Sequence, residues 1–389
     1  MLKEQKNLLS WLGEKEWLAP LLWFGLSMIA ACKEFFSGNY NNYTIFKHVF
    51  LHATQGKTLY GPYPEYFDVN NYGPLFSVLI TPFALMPDMI GSILWVLFNA
   101  TVLFLAIRQL PLTRIQQNLV LIFASHELMA ASGYFQFNPI IAACLVFSFV
   151  MIRKGKEFWA AFFIMFGAYT KLYGIVGLSF FFFTNNKWRL IYSMVIWGVV
   201  LFALPMILSS PSYIVQSYRE WYEALVVKND QNARFDKGIL LQDISAMGFI
   251  RRVFRLPYMS VLWVIVPALV LFAAQYLRLK YREYTSYQLY ILASALLFTV
   301  LFSSSSESPT YIIAFIGPCV WYVLQPKTWQ NNAFFIFVLI GCSFSHSDLV
   351  TPWVKKNIVV PYAFKAFPCL VMWLVIVYQI LTRRFLRTV

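Results

Sequence analysis

Apolar runs about twenty residues long recur along the chain, as in WLAPLLWFGLSMIAACKEFF (17–36) and RLIYSMVIWGVVLFALPMIL (189–208). A helix of that length crosses a hydrocarbon core of about 30 Å. No water serves the backbone inside such a core, so a crossing segment must satisfy its own N–H and C=O groups. That leaves α-helices and closed barrels. A barrel would be written in short segments of alternating polarity instead. The composition points the same way. Hydrophobic residues are 59%, charged residues 12% and mean hydropathy is +0.61, whereas about 25% of a soluble domain is charged. The chain therefore reads as an all-α polytopic membrane protein, one domain over 1–389.

About twelve spans are expected, near 17–36, 75–87 merging into 89–109 (one crossing), 116–132, 138–152, 157–170, 172–184, 189–208, 258–278, 285–303, 309–325, 331–345 and 361–382. The net charge of +14 would suggest nucleic acid in a soluble protein. Here the basic residues cluster at helix ends, among them Arg108, Arg114, Arg153, Lys154, Lys187, Arg278, Arg282 and Arg383. That is the pattern of cytoplasmic loops, and it excludes a nucleic-acid partner. Both termini are expected in the cytoplasm, with the first twenty residues an amphipathic lead-in that lacks a signal-peptide core. The five cysteines lie in or beside apolar runs without metal-type spacing, as small buried residues do.

This orientation puts two sizeable segments outside, a first loop at 37–74 and a second at 209–257, while the inner loops are little longer than turns. The polar chemistry is therefore expected on the outer face. Ile45, Phe46, Val49, Phe50 and Ala53 recur at helical spacing in the first loop, with Lys47, His48, His52 and Gln55 around them. They predict an amphipathic helix along the outer interface, closed by Gly56. His48 and His52, spaced i, i+4, lack a clear third partner, so polar-face residues are preferred to a metal site. The next stretch, LYGPYPEYFDVNNYGPLF (59–76), holds four tyrosines, three prolines, Glu65 and Asp68. Prolines stiffen it. Tyrosine faces beside carboxylates suit a sugar, and a carboxylate there suits general-base work; the plain alternative is a solvated loop.

Strong polar groups at membrane depth are costly enough to raise functional questions. Gln136 and Asn138 stand at the outer end of a hairpin in SGYFQFNPII, where capping around Pro139 is the structural alternative. Lys171 interrupts two apolar runs; it either snorkels or grips a phosphate as a point charge. Glu307 and Tyr311 open a span after a serine run, where an acid at a helix start is one sufficient explanation. Gln242, Asp243, Ser245, Arg251 and Arg252 share the segment LLQDISAMGFIRR, whose arginines face lipid head groups or a donor phosphate. Walker, GxGxxG, HExxH and GxSxG motifs do not occur.

The layout resembles the GT-C glycosyltransferases. More narrowly, NNYTIFKHVFLHATQGKTLY, NNYGPLFSVLITPFALMP, GYFQFNPIIAACL, GAYTKLYGIVGL and LLQDISAMGFIRRV resemble segments of glycosyltransferase family 87, the group with the mycobacterial polyprenyl-phosphate-mannose-dependent mannosyltransferases. The resemblance implies inverting transfer of a hexose or pentose (mannose-like) from a polyprenyl-phosphate donor to a lipid or glycan acceptor on the outer face of a bacterial inner membrane. No metal, nucleotide or redox cofactor is implied; the lipid-linked sugar phosphate is the donor substrate. An acid in the first loop would be the base. The family usually places that aspartate just before the first-loop helix, where this chain has Asn41 and Asn42. An amide is no base near neutral pH, so the role falls to Asp68, with Glu65 second. Lys171 would hold the donor phosphate, helped by Arg251 or Arg252. Gln136, Asn138, Tyr72, Asn42, Gln242, Glu307 and Tyr311 would line the substrate site. A lipid-linked oligosaccharide flippase and a silent partner of a glycan-assembly complex are the alternatives.

Overall fold

The computed structural model describes residues 8–233, 241–347 and 352–387. The first seven residues of the expected lead-in therefore lie outside it. Of the described residues 77% are helical and none lies in a strand. Its first helices are α1 (Leu8–Glu14), α2 (Leu18–Phe36), α3 (Asn41–Gln55), α4 (Leu75–Ala84) and α5 (Asp88–Arg108). Then come α6 (Arg114–Gly133), α7 (Asn138–Arg153), α8 (Glu157–Thr170), α9 (Lys187–Ala203) and α10 (Pro211–Ala233). Further along are α11 (Ala246–Val253), α12 (Leu262–Ala274), α13 (Thr285–Leu301), α14 (Tyr311–Leu324), α15 (Trp329–Val338) and a long helix near the C-terminus, Ala366–Leu381.

Among the described residues four helical stretches are long and apolar enough to cross a membrane: Leu18–Phe36, Asp88–Arg108, Lys187–Ile207 and Leu262–Tyr281. Seven further helical stretches among the described residues are apolar but shorter, at 10–17 residues, while α6 and α10 are long but more polar. α7, α13 and α14 are buried on nearly every face and form the centre of the bundle. α9 and α12 are apolar all round yet leave most of their surface exposed. Such faces are stable in hydrocarbon rather than in water, so this is a membrane protein.

Side-chain hydrogen bonds gather the basic loops at one end. Lys154 donates to Gln109 (2.7 Å), Arg153 to Thr285 (3.2 Å) and Arg278 to the carbonyl of Leu381 (2.9 Å). Asn118 donates to the carbonyl of Gly13 (2.7 Å), which brings the N-terminal helix to the same end. There Thr113 and Gln116 cap α6 reciprocally, each side-chain oxygen accepting from the other's backbone N–H.

The first-loop helix follows its apolar spacing: Ile45, Phe46, Val49, Phe50 and Ala53 are all buried. Gly56 closes it in the left-handed region, at φ 67. His52, expected on the polar face, is instead buried, its ring 3.9 Å from that of Tyr63. The aromatic segment folds back over the helix and covers that face. The two runs expected over 75–87 and 89–109 are two helices, parted just before Pro87. α4 lies back on α5, with Phe83 5.3 Å from Trp95 and 5.4 Å from Phe98, and Asp88 pairs with Lys47 of α3. The runs at 157–170 and 172–184 do separate at Lys171. The second is a 3-10 helix, Leu172–Phe183, whose rise of about 2 Å per residue carries 12 residues roughly 24 Å.

Candidate active site

Away from the basic end, the two polar loops and three helix junctions enclose a pocket of about 310 Å³. Its first wall is the aromatic segment. Asn70 holds its own turn, accepting from the N–H of Tyr72 and donating to that residue's carbonyl (both 3.0 Å). Tyr72 is thereby turned inward, its ring against Phe76 (4.8 Å), Phe46 (5.2 Å) and Phe137 (5.7 Å). Its hydroxyl donates to Gln136 (3.1 Å), and burial raises its pKa. Gly73 follows because the chain must pass flush against the α8 end. Its N–H donates to the carbonyl of Thr170 (3.0 Å), and a Cβ would overlap the carbonyl oxygen of Tyr169.

Asp68 lines the pocket in the left-handed backbone region, at φ 68. Aspartate visits that region more readily than most residues, but it still needs support. Asn41 supplies it. Its amide donates to the carbonyl of Phe67 (2.9 Å) and accepts from the same residue's N–H (2.8 Å). One Asp68 oxygen accepts from the N–H of Val69 (2.8 Å), and the other lies 3.8 Å from Lys228.

The opposite wall comes from the junctions. Lys171 ends α8 in an extended conformation, and its ammonium donates to Asn138 (2.8 Å). It also stands 4.9 Å from the Tyr173 ring and 5.6 Å from that of Tyr72, a setting that favours the cation. Burial works against the charge and pulls the pKa down to about 8, while the nearby Glu307 carboxylate pushes it back up. Glu307 caps the turn before α14 reciprocally with Thr310. Burial raises its pKa; Lys171 and Lys228 oppose the rise and Asp68 adds to it. The pocket thus holds two lysines and two carboxylates, a set able to take an anionic group and a proton together.

α10 closes the pocket as a cover. Its Trp221 donates to the carbonyl of Asn71 (3.0 Å), Glu220 accepts from Thr58 (2.6 Å) and Asn229 accepts from Ser304 (2.7 Å). The second loop is therefore fastened to the first loop and to the serine run.

Of the residues singled out in the sequence, Asn42, Asp68, Tyr72, Gln136, Lys171 and Glu307 line this one pocket. Asn138 stands behind it, between Lys171 and the carbonyl of Pro309 (3.2 Å). The others are placed elsewhere. Glu65 is exposed and off the pocket lining. Arg251 is buried against Asp243, and Arg252 donates to the carbonyls of Gln242 and Val360. These arginines build a corner rather than reach the pocket. Tyr311 donates to the carbonyl of Ile244 (2.9 Å), pinning the same corner. Sequence reasoning missed Trp221, Leu225, Lys228 and Asn229, four pocket residues on α10. The signal was present: positions 221, 225 and 228 recur at helical spacing, and 229 adjoins them on the same face. Among the described residues no three metal-ligating side chains cluster.

Residues 70–304, more than half of the chain, match glycosyltransferase family 87. The chain belongs to glycosyltransferase family 87. No curated protein matches it. The family 87 match takes in Tyr72, Gln136, Lys171 and Lys228, while Asp68 and Glu307 fall just outside its two ends. A glycosyltransferase needs a sugar donor and an acceptor.

Proposed function

We propose that this family 87 protein moves a mannose-like sugar from a polyprenyl-phosphate donor to a lipid or glycan acceptor, with inversion. Asp68 is the base. It takes the proton of the acceptor hydroxyl as that oxygen attacks the anomeric carbon; the bond from that carbon to the phosphate oxygen breaks, and polyprenyl phosphate leaves with the electron pair. Lys171 and Lys228 take the phosphate charge, which grows on the leaving oxygen and so is stabilised more in the transition state than in the donor. Tyr72, Gln136, Asn42 and Glu307 contact the sugars, and Asn138 orients Lys171. The reaction on this reading needs no metal. We place the protein in a bacterial inner membrane with about twelve crossings, cytoplasmic termini and the pocket outside.

The observation that carries this reading is that Asp68, Lys171 and Lys228 line one pocket, with Asp68 3.8 Å from Lys228. Purified protein in proteoliposomes, given a radiolabelled polyprenyl-phosphate hexose and a glycolipid acceptor, tests it. Removing a general base costs about 10²–10⁴ in rate, so Asp68→Asn is expected to lose that much with an unchanged thermal melt. Glu65→Gln is expected to keep its rate. An Asp68→Asn protein as fast as the parent would remove Asp68 from the mechanism.

A further inference from the structure

Lys365 and Glu127 form an ion pair in the interior of the bundle, with side chains only 1% and 0% exposed. Neither lines the pocket. Two charges in a dry helical interior are expensive to desolvate, and apolar residues of similar volume commonly stabilise such a site as well or better. Stability alone is therefore a poor account of the pair.

Its geometry offers a better one. The Lys365 ammonium approaches both Glu127 oxygens (3.0 and 2.9 Å) and also donates to the carbonyl (3.2 Å) and hydroxyl (3.1 Å) of Ser308. Ser308 follows Glu307 directly and opens the turn that carries Thr310, another lining residue. The same turn is held from its other side by Asn138 on the carbonyl of Pro309, and Asn138 is the partner of Lys171. One polar chain therefore runs from the pocket lysine through Asn138 and the 308–309 backbone to Lys365 and Glu127. Glu127 fixes the ammonium on α6, and the ammonium fixes the turn.

We propose that the Glu127–Lys365 pair is a positioning device for the pocket, setting where Glu307 and Thr310 stand by holding Ser308. It extends the site to two residues beyond the pocket. The kinetic part of its test rests on the transferase reading; the labelling part does not.

The test replaces the pair by apolar residues, Glu127→Leu with Lys365→Met, in the full-length protein carrying Cys32→Ser and Ser305→Cys as a reporter on the pocket wall. If the pair positions the wall, the double variant melts within about 3 °C of the parent, a polar thiol reagent labels the reporter about fivefold faster, and kcat falls about tenfold. Ser308→Ala, which removes one of the two acceptors on that residue, is expected to lower kcat about twofold to threefold on its own. A folded double variant with the parent's labelling rate and turnover would overturn the proposal. So would a double variant that no longer folds, because the pair would then be holding up the bundle. Faster labelling beside a parent protein that transfers no sugar would support the positioning role and remove the transferase reading instead.

Discussion

Asn41 or Asn42 stands where the family resemblance implies an aspartate, and the structure gives the Asn41 amide work no carboxylate can do. Asn41 both donates to and accepts from the backbone of Phe67, and the next residue is Asp68 in the left-handed region. A carboxylate at 41 would lose the donation and face the Phe67 carbonyl with like charge. Asn41→Asp is therefore expected to slow transfer about tenfold or more. A faster Asn41→Asp enzyme would put the base at the start of α3 instead. Lys171 carries a second expectation at this scale. With its pKa drawn down to about 8, it is charged below that pH and neutral above it. The donor KM should rise about tenfold per pH unit above about 8, and Lys171→Met should show a raised, pH-flat KM; an unchanged alkaline limb in that variant would assign the titration to another group. Asp68 and Lys171 were legible because charges are rare in an apolar chain. Lys228 was not, because a lysine in a long polar loop has no such contrast. Arg251 and Arg252 misled for a related reason: sequence shows a charge but not the buried Asp243 or the backbone carbonyls that occupy it.

At the scale of elements, α3 and its glycine stop could be read directly, since apolar spacing and a left-handed cap are local signals. The fold of α4 back on α5 could not, because the cause is tertiary: aromatic contacts between Phe83, Trp95 and Phe98, and the Asp88–Lys47 pair. The contact that most directly joins pocket and bundle is equally non-local. Gly73 lies flush on the α8 terminus, beneath Trp221 of α10. An alanine there drives its Cβ into the Tyr169 carbonyl and against the Trp221 ring, and the backbone carbonyl leaves little to yield. Overpacking of this sort costs about 1–3 kcal/mol. Gly73→Ala is thus expected to lower the melting temperature by a few degrees and to weaken donor binding. A variant with the parent's melt would mean that the first loop is not seated on α8 as described.

At the scale of the molecule, the sequence predicted a polarity of charge, and the structure shows a polarity of construction that runs parallel to it. The loops bearing Arg153, Lys154, Arg278 and Arg282 are tied together at one end, and the N-terminal helix joins them there. The pocket, both polar loops and the 303–310 turn lie away from them. Short loops rich in lysine and arginine stay in the cytoplasm, so the pocket end should face out. Single cysteines settle the matter when probed with an impermeant thiol reagent on right-side-out vesicles. Pro64→Cys and Asp230→Cys, both on exposed positions of the polar loops, should label at once. Lys154→Cys and Lys280→Cys, exposed at the basic end, should label only after permeabilisation. The reverse pattern would turn the pocket toward the cytoplasm. Donor and acceptor would then both have to be presented on that side, and an outer-face transferase would be excluded whatever the chemistry of Asp68.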